Sequence, residues 1–220
     1  MTSVISHVVS VPAARLTLPG DLVLPESARA VVLFAHGIQT SRHNPAIRLV
    51  AAELHQAGLG TLALDLFSET EAHRAEAVRG QRVDMEMLGR RLIAAVDWLK
   101  TQPETRALPV ILFSAGAEAA TAVMAAAQLP DRVLTAVSWD GQPELVGEEV
   151  PDRIRVPVLF VVGDRDPDAV RTNREAAQRA GASHAVREVP GASHRFEEPG
   201  ALDRAAELTR EWVDDRLRSL

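Results

Sequence analysis

The chain has 220 residues, 24 Lys and Arg against 30 Asp and Glu, a net charge of -6 and no Cys. That length suffices for one domain with a continuous core. The acidic balance without a basic block argues against nucleic acid, and the missing Cys excludes disulfides, thiolate metal sites and a Cys nucleophile.

Val4 to Val11 and Arg15 to Leu24 read as the strands of an N-terminal hairpin within residues 1–29, the second interrupted by the turn signal Pro19-Gly20-Asp21. Ala30 to Ala35 is a short unbroken apolar run ending at His36-Gly37, the pattern of a strand buried on both faces. Ala46 to Ala57 has helical spacing with Gly58 as its stop, and Gly60 to Leu66 is the next strand. Residues 67–82 are polar without a clear period and predict an excursion with at most a partial helix. Val83 to Lys100 is a long amphipathic helix, Val110 to Phe113 a strand, and Ala117 to Leu129 a helix closed by Pro130. Strands at Val133 to Ser138, Val156 to Val162 and Ala185 to Val189 alternate with helices at Asp168 to Ala180 and Ala201 to Leu220. This alternation predicts an α/β fold with a parallel sheet wrapped on both faces, as a single domain over 1–220.

Lys100 is the single lysine and ends a helical stretch, which sets aside Schiff-base chemistry. The first residues have no signal-peptide pattern and no apolar run approaches the ~20 residues of a membrane span, so a soluble cytoplasmic protein with no membrane partner is expected.

In open α/β sheets ligands bind beyond the carboxyl ends of the strands. Those ends carry His36-Gly37-Ile38-Gln39, then Asp65, the cluster Ser114-Ala115-Gly116-Ala117-Glu118, Trp139-Asp140-Gly141, Gly163-Asp164-Arg165-Asp166 and Gly191-Ala192-Ser193-His194. A turn cluster, then an acid, then a histidine is the chain order of an α/β-hydrolase. Asp166, with Asp164 as the alternative acid, would hold His194 in one tautomer, and His194 would take a proton from a hydroxyl or a water. The backbone N–H groups of Ile38 or Gln39 and of Ala117 are placed to form an oxyanion hole.

The segments from Val31 to Gly37, Ser41 to Pro45, Leu64 to Leu66, Leu129 to Val133 and Val189 to Gly200 resemble the dienelactone-hydrolase-like branch of the α/β-hydrolase superfamily. The resemblance implies an eight-stranded, mostly parallel core and hydrolysis of small carboxylic esters or lactones. The family's turn reads L-F-G-A-S-T-G-A. A gap-free match puts Gly116 at the expected nucleophile position, Ser114 on the first glycine and Glu118 on the last.

Three readings of the turn follow. In one the nucleophile is lost, leaving a water activated by His194 and Asp166, or a catalytically impaired pseudo-hydrolase that binds a small ligand or a partner. In the second the register shifts by two and Ser114 is the nucleophile. In the third these small residues serve packing and capping. His36, Arg42 and His43 are candidate substrate-binding residues, the last two together with Arg48 as a carboxylate site. Glu118 is either a helix N-terminal carboxylate or a group in the site, and Trp139 either walls the pocket or belongs to the core. The remaining histidines have no metal-ligand spacing, and Gly58-Leu59-Gly60 precedes its strand, so no metal and no cofactor are expected. The expected partner is a small-molecule ester or lactone, on a monomer or homodimer.

Overall fold

The computed structural model describes residues 4–37, 41–77, 84–146, 154–181 and 183–220. Its strands are β1 (Val4–Ala13), β2 (Leu16–Pro25), β3 (Val31–His36), β4 (Gly60–Asp65), β5 (Val110–Ala115), β6 (Val133–Trp139), β7 (Val158–Gly163) and β8 (Ala185–Val189). The helices are α1 (Pro45–Gln56), α2 (Glu69–Ala77), α3 (Met85–Thr101), α4 (Ala119–Gln128), α5 (Pro167–Ala180) and α6 (Ala201–Leu217). The strands form one sheet in the order β1-β2-β4-β3-β5-β6-β7-β8. Pairing is antiparallel for β1 with β2 and for β2 with β4, and parallel from β4 onward.

The period of two in the central strands sorts their side chains between two cores. Val31 and Leu33, Val110 and Leu112, and Val158 and Phe160 face α3 and α4, while Val32 and Phe34, Ile111 and Phe113, and Leu159 and Val161 face α1 and α6. Both faces are therefore apolar, which is why these strands read as unbroken hydrophobic runs. On the second face Phe34, Phe113, Trp139 and Phe196 form a chain of rings with centroids 4.6, 5.0 and 5.4 Å apart. Each such contact adds about 0.5–1.5 kcal/mol beyond its buried area, and the chain runs beneath the ends of β3, β5 and β6.

Local chemistry starts the helices at the same edge. Asn44 caps α1 by accepting from Ala46 N–H at 2.9 Å, Asp84 caps α3 from Met87 N–H at 2.9 Å, and Asp166 caps α5 from Ala169 N–H at 3.0 Å. Pro45 and Pro167 fill the first helical positions of α1 and α5.

Two elements depart from the sequence expectation, and the partial helix expected after β4 is present. Pro19-Gly20-Asp21 lies inside β2, and the hairpin turns at Ala14, whose φ is +53°. Proline is tolerated there because pairing with β4 begins only at Gly20, so its missing N–H leaves no gap on that side. The polar stretch after β4 holds a helix, α2, anchored by an ion pair: Arg91 Nη2 lies 2.6 Å from Glu71 Oε1, and Arg91 also donates to the Leu66 carbonyl at 2.7 Å. Tertiary pairing there supplies what periodicity lacks. Finally β5 runs two residues past Phe113, because Ser114 and Ala115 pair with Ser138 and Trp139 of β6.

Candidate active site

The extension of β5 sets the level of the turn. Ala115 is still extended, with φ -131° and ψ 153°, and Gly116 then turns sharply with φ +66° into a 3-10 turn that feeds α4. A residue with a Cβ is strained in that region and glycine is not. Gly116 is thus the apex of the strand-to-helix turn, and apart from its chain neighbours no atom of the described residues lies within 4 Å of where its Cβ would stand. Ser114 is two residues back inside the sheet, 0 % exposed, donating its hydroxyl to the Ala35 carbonyl at 3.1 Å. Ala117 follows the apex in the first turn.

Glu118 is buried and its carboxyl lies against Gly37 so closely that a Cβ on that glycine would overlap it. Burial pushes this carboxyl above the ordinary carboxylate range. Ile38 and Gln39 lie outside the described residues. His36, at the end of β3, is 2 % exposed, and its Nε2 has no partner among the described residues. Burial lowers its pKa to about 4; the nearby Asp65 opposes the shift and Arg42 adds to it. Arg42 is tied down by Asp65, whose carboxylate accepts from the Arg42 backbone N–H at 2.9 Å and from its guanidinium, and by Asp21 at 3.5 Å. His43 is exposed, with Nδ1 3.2 Å from Arg48 Nη2. Glu118 thus packs from the turn after β5 against the first residue of the loop that follows β3.

The low value at His36 has a measurable consequence. Between pH 6.5 and 4 the unfolded chain protonates this imidazole while the folded chain does not, so stability present at neutral pH is lost as the pH falls through that window. The expected loss is on the order of 3 kcal/mol, from the factor of 1.36 kcal/mol per pH unit. Urea midpoints at pH 7 and pH 4 should show it in the parent chain, with the difference reduced in His36→Leu; equal acid sensitivity of the two would refute the assignment.

At the other end of the rim the histidine loop is clamped onto the acid loop. Gly163 ends β7, and a Cβ there would stand 2.5 Å from the Ser193 carbonyl oxygen. Asp164 accepts from Gly191 N–H at 2.7 Å, Arg165 N–H donates to the Ala192 carbonyl at 3.0 Å, and Glu198 accepts from Ser193 N–H at 2.9 Å. Asp164 is therefore a backbone clamp. Asp166 is half-buried and caps α5, and His194 is exposed. Trp139 is 2 % exposed, its indole N–H donating to Thr209 Oγ1 at 2.9 Å, so it belongs to the core.

Asp140, the residue after Trp139, is drawn into this cluster. Burial raises its pKa to about 6, with the charge of His194 lowering it and that of Asp166 raising it. The three groups therefore share one stretch of rim, next to the apex, since Ala115 and Trp139 are register partners. Sequence reading placed Asp140 at a strand end without giving it a role. The signal it lacked is backbone conformation, for Asp140 has φ +45°, which no residue pattern announces. Glu198 was likewise missed, being one more acid in an acidic helix start.

Among the described residues no group of His, Asp or Glu is arranged to hold a metal ion, and no helix is long and apolar enough to cross a membrane. Two proteins of Mycobacterium tuberculosis, from strains CDC 1551 and H37Rv, provisionally named phosphoribosyl transferases, are each 39% identical over 209 residues. The match covers 95% of this chain and 46% of theirs, so the chain spans about half the length of the curated relatives it matches. A dienelactone hydrolase from Anabaena variabilis superposes with a TM-score of 0.90 at 38% identity, over 96% of this chain and 98% of that one. Est1E from Butyrivibrio proteoclasticus, at 14% identity and a TM-score of 0.78 over 96% of this chain and 99% of its own, shares the fold. Residues 18–215 match the dienelactone hydrolase family, and on this match, with the eight-stranded sheet and the apex at Gly116, the chain belongs to that family.

Proposed function

We propose that the chain hydrolyses small carboxylic esters or lactones slowly and without an acyl-enzyme, by direct attack of water at the Gly116 apex. The observation that carries this reading is Gly116 itself: the hydrolase turn is kept, with φ +66°, and the side chain at its apex is absent. Ser114 does not replace it, because its hydroxyl is buried and bonded to Ala35. In the proposed reaction His194 takes a proton from water as the hydroxide adds to the substrate carbonyl carbon. The resulting oxyanion is held by the N–H of Ala117 together with Ile38 or Gln39. The tetrahedral intermediate then collapses, and the departing alkoxide takes the proton back from His194. Asp166 stabilises the protonated imidazole. Without a nucleophile such a site retains about 10³ over the uncatalysed reaction, against a loss of about 10⁶ in turnover.

A second reading, ligand binding without turnover, is supported by Glu118. An ionised carboxylate against Gly37 would oppose charge growing on an adjacent oxyanion. The name carried by the M. tuberculosis relatives belongs to proteins about twice as long, and carboxylates at 118, 140 and 166 make this rim a poor cradle for a pyrophosphate.

The test is steady-state and pre-steady-state hydrolysis of short-chain aryl esters. We expect turnover without a burst, abolished in His194→Ala, retained within about threefold in Ser114→Ala, and no labelling by a serine-directed phosphonate. Labelling at Ser114 would overturn the direct-water reading; folded protein that binds esters with no turnover would establish the second reading.

A further inference from the structure

Asp140 closes β6 in the left-handed region, at φ +45°, where a residue with a Cβ is strained. Three contacts hold it there. Its own N–H donates to the Val161 carbonyl at 2.8 Å. The carbonyl of the next residue, Gly141, accepts from Asn173 Nδ2 of α5 at 3.1 Å. Gly141 also packs so closely on α4 that a Cβ on it would stand 2.9 Å from that of Ala119. The outcome of this over-determined turn is a carboxylate oxygen, Oδ1, that is buried and has no hydrogen-bond partner among the described residues. Leaving a buried acceptor unpaired is costly. A backbone strained to keep it so points to a partner that arrives during function.

The position of that oxygen names the partner. Ala115 and Trp139 are paired across β5 and β6, so Gly116 and Asp140 are the residues that follow one paired position on adjacent strands. On the other side the loop that carries His194 packs through Ala192 and Ser193 on Gly163, at the end of β7, which pairs with β6, and Asp140 feels the charges of His194 and Asp166. Asp166 already commits one oxygen to the Ala169 N–H as the cap of α5. His194 is exposed, so its ring can turn about its side-chain torsions without displacing packed atoms.

We infer that Asp140 is a positioning residue of this site: its Oδ1 accepts a ring N–H of His194 and turns the imidazole toward the Gly116 apex, with the Asp166 carboxylate as the second, supporting charge. The inference rests on His194 being the base of the proposed hydrolysis. It makes the acid at the end of β6, one strand from the apex, the direct orienter, and leaves the acid after β7 to cap its helix and add charge. Burial and the neighbouring Asp166 charge keep Asp140 partly protonated near pH 6, so the pairing is complete only above that pH.

The test compares Asp140→Asn with Asp166→Asn by ¹⁵N NMR of the His194 imidazole over pH 5 to 9. Asparagine tolerates the left-handed region as well as aspartate does, and a thermal melt checks folding. In Asp140→Asn the midpoint of the His194 titration is expected to move down by about one pH unit, the size of effect an opposite charge at contact distance exerts, and by less in Asp166→Asn. An unmoved midpoint in Asp140→Asn, or a larger movement in Asp166→Asn, overturns the inference. On short-chain aryl esters, Asp140→Asn should lower kcat about tenfold with KM unchanged. The NMR comparison reads the pairing even in a protein that turns over no ester, so failure of the hydrolysis and failure of this pairing are told apart.

Discussion

Gly116→Ser is expected to give the protein a covalent active site. The hydroxyl would stand at the apex of a turn that already has the hydrolase conformation, next to the Ala117 N–H, with no atom of the described residues beyond its chain neighbours within 4 Å of the new Cβ. A serine at φ +66° costs about 1–2 kcal/mol in backbone strain, a fraction of the roughly 5–15 kcal/mol that keeps a domain folded. The variant should therefore fold. It should be labelled by an aryl phosphonate and show an acyl-enzyme burst on aryl esters. Turnover should exceed that of the parent on the order of 10³-fold, part of the ~10⁶ that a serine nucleophile contributes. Glu118 limits the gain, because its carboxyl lies against Gly37 on the loop that leads to the proposed oxyanion donors. Gly116→Ser with Glu118→Gly should add roughly another tenfold. A folded Gly116→Ser protein that takes no phosphonate would show that the apex and His194 are not in register, and the proposed function would fall with it.

Gly163→Ala should have the largest effect on stability of any single change at the rim. A Cβ at this position would meet the backbone of Ala192 and stand 2.5 Å from the Ser193 carbonyl oxygen, atoms with no side-chain freedom to yield. Relief requires moving the 191–194 loop as a unit, which also breaks the Asp164 bond to Gly191 and the Arg165 bond to Ala192. Overpacking of this kind costs about 3 kcal/mol or slightly more, which in a chain of this size lowers Tm by roughly 6–12 °C. The same displacement carries His194 away from Asp140 and Asp166. Calorimetry should show the fall in Tm and ¹⁵N NMR the altered His194 environment. An unchanged Tm with unchanged imidazole resonances would mean that the clamp is looser than this packing implies.

The contrast between these two glycines explains what sequence reading reached. Both occur at the end of an apolar strand run, Gly116 among small residues and Gly163 before Asp164-Arg165-Asp166, and both were placed at the rim by that position alone. Their different tasks were not legible. Gly116 needs a positive φ and meets no described atom beyond its chain neighbours where a Cβ would stand, while Gly163 is required by a backbone that approaches from a loop nearly 30 residues further along the chain. The elbow register was open for the same kind of reason. Nothing in Val-Ile-Leu-Phe-Ser-Ala-Gly says where the strand stops; pairing of Ser114 and Ala115 with Ser138 and Trp139 does. Arg42 read as a ligand for a substrate carboxylate, and the fold ties it to Asp21 and Asp65, two acids from other strands.

By itself the sequence determined the α/β architecture and the family, because buried parallel strands write themselves as apolar runs and helices as a 3.6-residue period. It also placed the acid and histidine loops at successive strand ends, which follows from chain order in a parallel sheet. Only the tertiary structure decided which residue is the apex, which carboxylates are caps or clamps, and that Asp140 is held at a positive φ with its Oδ1 unpartnered among the described residues. Those properties arise from strand register, positive φ and contacts between distant loops, and none of the three has a signature within a local stretch of residues.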